Sequence, residues 1–139
     1  MKSKRILLAA GGTGGHMFPA QALSEVLLKD GWTVGLSTDI RGARFLSSFS
    51  SDVTVAISDS GTFSSGGISK KISTPWQITK GTFSTLKNFN WERPDVVVGF
   101  GGYPSIPALL TSRLLGIPLI LHEQNGILGL VNKLFSNYA

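Results

Sequence analysis

Four glycines cluster directly after the first apolar run of the chain. This first loop, residues 11–16, reads Gly11-Gly12-Thr13-Gly14-Gly15-His16 and leads into an amphipathic stretch. Glycines at a strand-to-helix turn let backbone N–H groups approach an anion, which the helix N-terminus also attracts. The first loop therefore predicts a phosphate or pyrophosphate site, with a tight turn that binds nothing as the alternative. His16 could act there as a general base or as a hydrogen-bonding cap.

Two further loops combine glycines with polar side chains. The second loop, residues 99–105, reads Gly99-Phe100-Gly101-Gly102-Tyr103-Pro104-Ser105, and the third loop, residues 122–126, reads His122-Glu123-Gln124-Asn125-Gly126. Tyr103 can stack on or hydrogen-bond a sugar, and Ser105 can cap the next helix. The polar side chains of the third loop follow a buried strand, so they need hydrogen-bond partners. These are either a hydroxyl-rich ligand or other groups of the same turn.

A stripe of alternating aromatic and cationic residues lies on a predicted helix. That helix begins near Pro75 and extends towards Trp91, because residues 74–77 form a capping box with proline at the first helical position. Rings beside amines suit a membrane interface that contains anionic lipid. Contact with another protein surface, or partial burial, is the alternative. The aromatic–lysine stripe consists of Trp76, Lys80, Phe83 and Lys87.

Short strands alternating with helices must position these loops. Apolar runs predict strands over residues 5–10, 33–38, 53–57, 95–100 and 118–122, and helical spacing predicts helices over residues 19–30, 105–115 and after Gly126. This alternation predicts an α/β fold, with a Rossmann-like open parallel sheet and helices on both faces. Ligands of such sheets bind outside the carboxyl ends of the strands, so the three loops should share one edge.

Composition narrows the classes of protein that fit. The 139 residues suit one domain, and the sequence has neither an apolar run of ~18 residues nor a signal-peptide pattern, so we expect a cytosolic location. With no cysteine, and with His16 and His122 far apart, we expect no bound metal. The net charge of +5 is uneven. Residues 61–93 carry one acid, Glu92, against Lys70, Lys71, Lys80, Lys87 and Arg93, which suits an anionic partner or a solvated basic face.

Two other functions remain open on the residues alone. A dinucleotide-binding oxidoreductase would place a ribose-binding acid at Asp39, after the second strand. The glycine spacing disfavours it, because GxGxxG beginning at Gly12 would require glycine where Met17 stands. A non-catalytic, membrane-associated module that recognises lipid pyrophosphate would also use the basic stripe.

Together these motifs resemble the bacterial MurG transferases, which add N-acetylglucosamine to the undecaprenyl-pyrophosphate-linked muramyl pentapeptide of peptidoglycan synthesis. The resemblance is carried by the first loop followed by Pro19, by residues 93–97 (Arg-Pro-Asp-Val-Val), by Gly101-Gly102-Tyr103, and by Gly116-Ile117-Pro118 leading into the third loop. It implies one half of a GT-B fold. Residues 1–139 would form the N-terminal acceptor- and membrane-binding domain. The C-terminal donor-binding domain has no counterpart in the chain, which we therefore expect to be inactive by itself.

The resemblance also implies a reaction and a set of roles. N-acetylglucosamine would pass with inversion from UDP-N-acetylglucosamine to the C4 hydroxyl of the lipid-linked acceptor, converting lipid I to lipid II without a cofactor. His16 is the leading candidate for the base, and Glu123 is either a competing base or an orienting residue. Donor binding would fall to Thr13, Gly14, Gly15 and Asn125, and acceptor binding to Gly11, Gly12, Gly101, Gly102 and Tyr103.

The membrane-docking patch of these transferases lies on the same domain. The resemblance therefore favours an anionic membrane surface as the partner of the aromatic–lysine stripe, and gives nucleic acid no role. The implied location is peripheral, on the cytoplasmic face of the bacterial inner membrane.

Overall fold

A five-stranded parallel sheet forms the centre of the molecule. The structure is a computed structural model that describes residues 3–57 and 92–139. The strands lie in the order β3-β2-β1-β4-β5, and every neighbouring pair is parallel. The predicted open parallel sheet is thus confirmed. Its strands are β1 (Arg5–Ala9), β2 (Thr33–Thr38), β3 (Thr54–Ile57), β4 (Val96–Gly99) and β5 (Leu119–Leu121).

Helices follow several of the strands and end the described chain. They are α1 (Gly14–Lys29), α2 (Ile106–Leu115) and α3 (Leu130–Phe135), with 3-10 helices over Gly42–Ser48, Tyr103–Ser105 and Ser136–Tyr138. The prediction that the first helix starts at Pro19 was wrong, since α1 already begins at Gly14 and contains that proline. Pro19 has no N–H to donate to the carbonyl of Gly15, and its ring crowds that carbonyl, so α1 forms despite this local cost. His16 consequently belongs to the first turn of α1.

Alternate residues of the central strand face opposite layers of the core. Ile6 and Leu8 of β1 pack with the buried side of α1, whereas Leu7 and Ala9 pack with residues of α2 and α3. Burial on both faces explains why β1 is a near-continuous apolar run in the sequence. The predicted covering of both faces by helices is confirmed.

Two predictions concern residues outside the described segments. These are the helix beginning near Pro75 and the aromatic–lysine stripe that it carries. Among residues 3–57 and 92–139, no helix is long and apolar enough to cross a membrane.

Candidate functional site

The three loops leave the sheet at one edge. In the register of the sheet, Ala9 at the end of β1 pairs with Gly99 at the end of β4, and Gly99 pairs with Leu121 at the end of β5. The pairing continues into the loops, because the N–H of Phe100 donates to the Ala9 carbonyl at 2.9 Å and that of His122 donates to the Gly99 carbonyl at 2.8 Å. The strands β1, β4 and β5 therefore end at the same height in the sheet, and the three loops begin side by side.

The first and second loops pack directly against each other. A Cβ added to Gly11 would lie 2.7 Å from Cβ of Pro104 and 2.8 Å from Oδ1 of Asp39, both impossibly short. A Cβ on Gly102 would lie 3.3 Å from the carbonyl oxygen of Gly11. Gly11 is itself buried, so its glycine is explained by the close approach of the two loops.

The ring of His16 spans these two loops. Its Nδ1 lies 3.1 Å from the Thr13 hydroxyl, and either atom can donate, depending on the imidazole tautomer. On its other side, a Cβ built on Gly101 would lie 3.3 Å from Nε2. Gly101 has φ +90 and Gly102 has φ +78, a region in which side chains are strained. The glycines of the second loop therefore form a bare backbone surface beside the imidazole.

Thr13 occupies the N-cap of α1 without capping it through its side chain. Its carbonyl accepts the N–H of His16 at 3.2 Å and that of Met17 at 3.1 Å, and its hydroxyl contacts the imidazole instead. The N–H groups of Gly14 and Gly15 have no hydrogen-bond partner among the described residues. Unpaired N–H groups in the first turn of a helix favour a bound anion.

Glu123 is the centre of the third loop. Its Oε1 accepts the backbone N–H of Asn125 at 3.1 Å and the Asn125 side-chain amide at 2.9 Å. Its Oε2 accepts the N–H of Gly129 at 2.8 Å and the amide of Asn132 at 3.0 Å. The Gly129 hydrogen bond above all, together with those from Asn125 and Asn132, lowers the pKa of Glu123 to about 2 against the opposing effect of desolvation. The carboxylate therefore stays ionised and ties the loop to α3.

Asn132 is a site residue that the sequence analysis missed. Its fully buried side chain donates to the His122 carbonyl at 2.9 Å as well as to Glu123, and a Cβ on Gly101 would lie 3.4 Å from its Nδ2. Its Oδ1 is buried and has no hydrogen-bond partner among the described residues. No sequence signal marked it, because an asparagine in a helix resembles a solvent-exposed residue. Asn132 joins the second and third loops.

Asp39 follows β2 and anchors the first loop. Its Oδ1 accepts the N–H of Gly12 at 3.0 Å and that of Gly42 at 2.9 Å, and its Oδ2 accepts Nε of Arg41 at 2.9 Å. Burial raises the pKa of this carboxyl, but the hydrogen bonds from Gly42, Arg41 and Gly12 outweigh burial and hold the pKa below its usual value. The side chain is 2% exposed and already accepts three N–H groups, so a ribose hydroxyl has little access to it, which argues against the dinucleotide-binding alternative.

Two side chains of the second loop differ in accessibility. Tyr103 is 42% exposed and begins the 3-10 helix that leads to α2. Ser105 is buried and stands at the N-cap of α2, but its hydroxyl donates to the Gly102 carbonyl at 2.7 Å. The prediction that its side chain caps the helix was therefore wrong. Ser105 closes the second loop, whereas Tyr103 remains available to a ligand.

Residues 6–139 match the glycosyltransferase family 28 N-terminal domain. The chain belongs to this family. It is 44% identical, over 128 residues, to the UDP-N-acetylglucosamine–N-acetylmuramyl-(pentapeptide) pyrophosphoryl-undecaprenol N-acetylglucosamine transferases of Brucella canis and Brucella suis. The match covers 92% of this chain and 34% of each relative, so the chain spans about a third of their length.

Solved structures share the family 28 fold. The crystal structure of Acinetobacter baumannii MurG superposes with a TM-score of 0.74 at 35% identity, covering 99% of this chain and 40% of that one. The calicheamicin glycosyltransferase CalG4 superposes with a TM-score of 0.58 at 19% identity, covering 99% and 38%. The second likeness concerns the fold alone. The described architecture is that of one half of a GT-B glycosyltransferase, as the family resemblance implied, and the matching family model is that of an N-terminal domain.

Proposed function

We propose that this chain is the N-terminal, acceptor-binding half of an inverting N-acetylglucosamine transferase. The donor would be UDP-N-acetylglucosamine, the acceptor undecaprenyl-pyrophosphoryl-muramyl pentapeptide, and a C-terminal domain would hold most of the donor. The observation that carries the proposal is the ring of His16 between two glycine loops at the carboxyl edge of the sheet, in a chain 44% identical to transferases of that name.

His16 is the base in this proposal. When its Nδ1–H donates to the Thr13 hydroxyl, the lone pair of Nε2 is left on the side of the second loop. Nε2 takes the proton of the acceptor C4 hydroxyl while that oxygen attacks the anomeric carbon of the donor sugar. The bond from this carbon to the UDP oxygen breaks, UDP leaves with the electron pair, and the configuration inverts.

Glu123 acts as a positioning residue rather than as the base. Its oxygens already accept four N–H groups, and with a pKa of about 2 it is a poor proton acceptor near neutral pH. It fixes the Asn125 side chain by accepting a hydrogen bond from its amide nitrogen. The side-chain oxygen of Asn125 is then free to accept a hydrogen bond from a hydroxyl of the transferred sugar.

The backbone groups of the first and second loops suggest which residues bind the donor and which bind the acceptor. The unpaired N–H groups at the start of α1 suit the donor pyrophosphate. The bare backbone of the second loop, with exposed Tyr103 beside it, suits the acceptor sugar and pyrophosphate. Gly12, whose N–H is bound by Asp39, adds a surface without a side chain. Gly11 contributes by letting the loops meet. The donor set is then Thr13, Gly14, Gly15 and Asn125, and the acceptor set Gly11, Gly12, Gly101, Gly102 and Tyr103.

Replacing His16 by glutamine in the native protein tests this function. Transfer of labelled N-acetylglucosamine to a short-chain lipid acceptor should fall about 10²- to 10⁴-fold in kcat, with both KM values little changed. Gln21→Ala is the control, since Gln21 lies further along α1 and its side chain bonds Glu25 rather than any of the three loops. Unreduced transfer by His16→Gln would refute the catalytic assignment. A wild-type protein that binds lipid pyrophosphate without transferring sugar would favour the non-catalytic module.

We further propose that the aromatic–lysine stripe binds an anionic membrane surface. The stripe lies outside the described residues, so its support is the sequence pattern and the undecaprenol-linked acceptor named for the relatives. Trp76→Ser with Phe83→Ser should reduce sedimentation with phosphatidylglycerol vesicles but leave the far-UV circular dichroism unchanged. Phosphatidylcholine vesicles are the control. Undiminished sedimentation of the double variant would refute this surface.

A further inference from the structure

Arg41 is fixed over the first loop by a buried carboxylate. Its Nε donates to Oδ2 of Asp39 at 2.9 Å, and the Asp39 side chain is only 2% exposed whereas that of Arg41 is 46% exposed. The same carboxylate accepts the N–H of Gly12 through Oδ1. Asp39 therefore sets the position of the guanidinium and of the loop backbone together.

The outer part of the guanidinium faces the open side of Gly12. A Cβ on Gly12 would lie 3.7 Å from Nη2 of Arg41 and 3.9 Å from its Cζ. With Nε occupied by Asp39, the four N–H bonds on the two Nη atoms have no recorded partner within the described part of the chain. Arginine N–H groups held in this fork suit phosphate oxygens.

The neighbouring backbone donors complete an anion-binding arrangement. Gly12 uses its own N–H for Asp39, whereas the N–H groups of Gly14 and Gly15 have no partner among the described residues. Gly14 lies two residues after Gly12, and its Cα is therefore within about 7 Å of the Gly12 Cα. A group the size of a pyrophosphate can bridge that interval and meet Arg41 and the start of α1 together.

We propose that Arg41 is a phosphate-binding residue of the first loop and that Asp39 is its positioning residue. The ligand is a pyrophosphate diester, which both substrates of the proposed function contain; only this choice of substrate rests on that function. A purely structural ion pair is the weaker explanation, because a half-exposed pair adds little to stability. A buried carboxylate that also fixes the loop backbone has a clear role in presenting the guanidinium.

Four variants of the native protein distinguish the phosphate-binding role of Arg41 from the positioning role of Asp39. Arg41→Met removes the guanidinium, and Arg41→Lys keeps the charge without the fork. Asp39→Asn keeps an oxygen for Gly12 and Gly42 but turns an N–H towards Arg41. The matched control is Arg44→Met, at an exposed arginine of the 3-10 helix that follows Arg41, for which the structure records no hydrogen bond or ion pair with the first loop.

Titration calorimetry gives the dissociation constants for UDP-N-acetylglucosamine and for a short-chain prenyl-pyrophosphoryl muramyl peptide. Arg41→Met should raise at least one of them about ten- to a hundredfold, Asp39→Asn should raise the same one, and Arg41→Lys should have a smaller effect. Arg44→Met should change neither by more than about twofold. The weakened probe identifies whether the donor or the lipid-linked acceptor supplies the pyrophosphate.

Wild-type affinity of Arg41→Met for both probes would overturn the proposal, whatever the transfer rate. Equal weakening by Arg44→Met would also overturn it, since the effect would then reflect general positive charge. A wild-type protein that binds the probes but transfers no sugar would refute the proposed function alone. Unfolding curves of Asp39→Asn show whether its effect reflects a lost fold, and Arg41→Met, at a half-exposed side chain, tests the proposal independently.

Discussion

The imidazole of His16 lies against the backbone of Gly101, where a Cβ would stand 3.3 Å from Nε2, closer than ordinary van der Waals contact. The same glycine has φ +90, which disfavours any side chain for a separate reason. Gly31 has a similar φ of +78 but lies in open space after α1. The two glycines therefore allow backbone strain to be distinguished from displacement of the imidazole.

Gly101→Ala and Gly31→Ala should each lower the free energy of unfolding by about 1–2 kcal/mol, because both place an L side chain at positive φ. Only Gly101→Ala should also reduce sugar transfer, since its methyl group moves the His16 ring. Urea unfolding and the transfer assay measure the two effects. Equal activity of the two variants would show that the contact with Gly101 does not position His16.

Thr13→Val should lower kcat about two- to tenfold by removing the hydroxyl that fixes the His16 tautomer, at nearly constant side-chain shape. Thr13→Ser keeps the hydroxyl and should retain most of the activity. The rates are compared at saturating concentrations of both substrates. If the serine variant loses as much as the valine variant, the methyl group of Thr13 matters rather than its hydroxyl.

Glu123 should contribute stability that depends on acid pH. Its pKa is lowered from 4.5 to about 2 by hydrogen bonds to Gly129, Asn125 and Asn132. The contribution is therefore complete above pH 4.5 and is lost as the pH falls towards 2. The difference in melting temperature between the wild type and Glu123→Gln should shrink over that range and stay constant above it. A difference that titrates near neutral pH would contradict the lowered pKa and reopen Glu123 as a base.

Asn132→Ala should lower the free energy of unfolding by about 1–3 kcal/mol, because it removes the amide that donates to the His122 carbonyl and one of the two N–H donors to Oε2 of Glu123. Asn137→Ala, at an exposed asparagine of the last 3-10 helix, should change it by less than about 0.5 kcal/mol. Denaturant titration measures both. Similar small losses in the two variants would mean that Asn132 does not tie the loops together.

The strands and the glycine loops could be predicted because their signals are local. Strand β2 was predicted with the bounds observed, and β4 is an apolar run because both of its faces are buried, whereas Ile120 of the edge strand β5 is 54% exposed. The shared edge of the loops then followed from parallel topology. The start of α1 was missed because glycines and an internal proline lower helix propensity, whereas packing against the sheet decides the outcome.

The hydrogen bonds that organise the site could not be predicted, since they join distant residues. Asp39 binds the N–H of Gly12 across 27 positions, and the sequence suggested only a ribose contact for it. Asn132 reaches His122 from the next helix, where a polar residue looks like any solvent-exposed one. These contacts depend on how the elements pack, which periodicity does not encode.

The central position of β1 also governs how the site can form during folding. Its pairing with β2 brings the first loop to Asp39, 27 residues away, but its pairing with β4 closes a far longer stretch, since the Arg5 N–H and the Asp95 carboxylate that meet there are 90 residues apart. Long closures cost more chain entropy and form more slowly. In a folding intermediate that has formed only the β1–β2 pairing, Asp39 already anchors the first loop, but His16 does not yet contact Gly101. Recovery of ligand binding during refolding should therefore report the last pairing of the sheet, not its first.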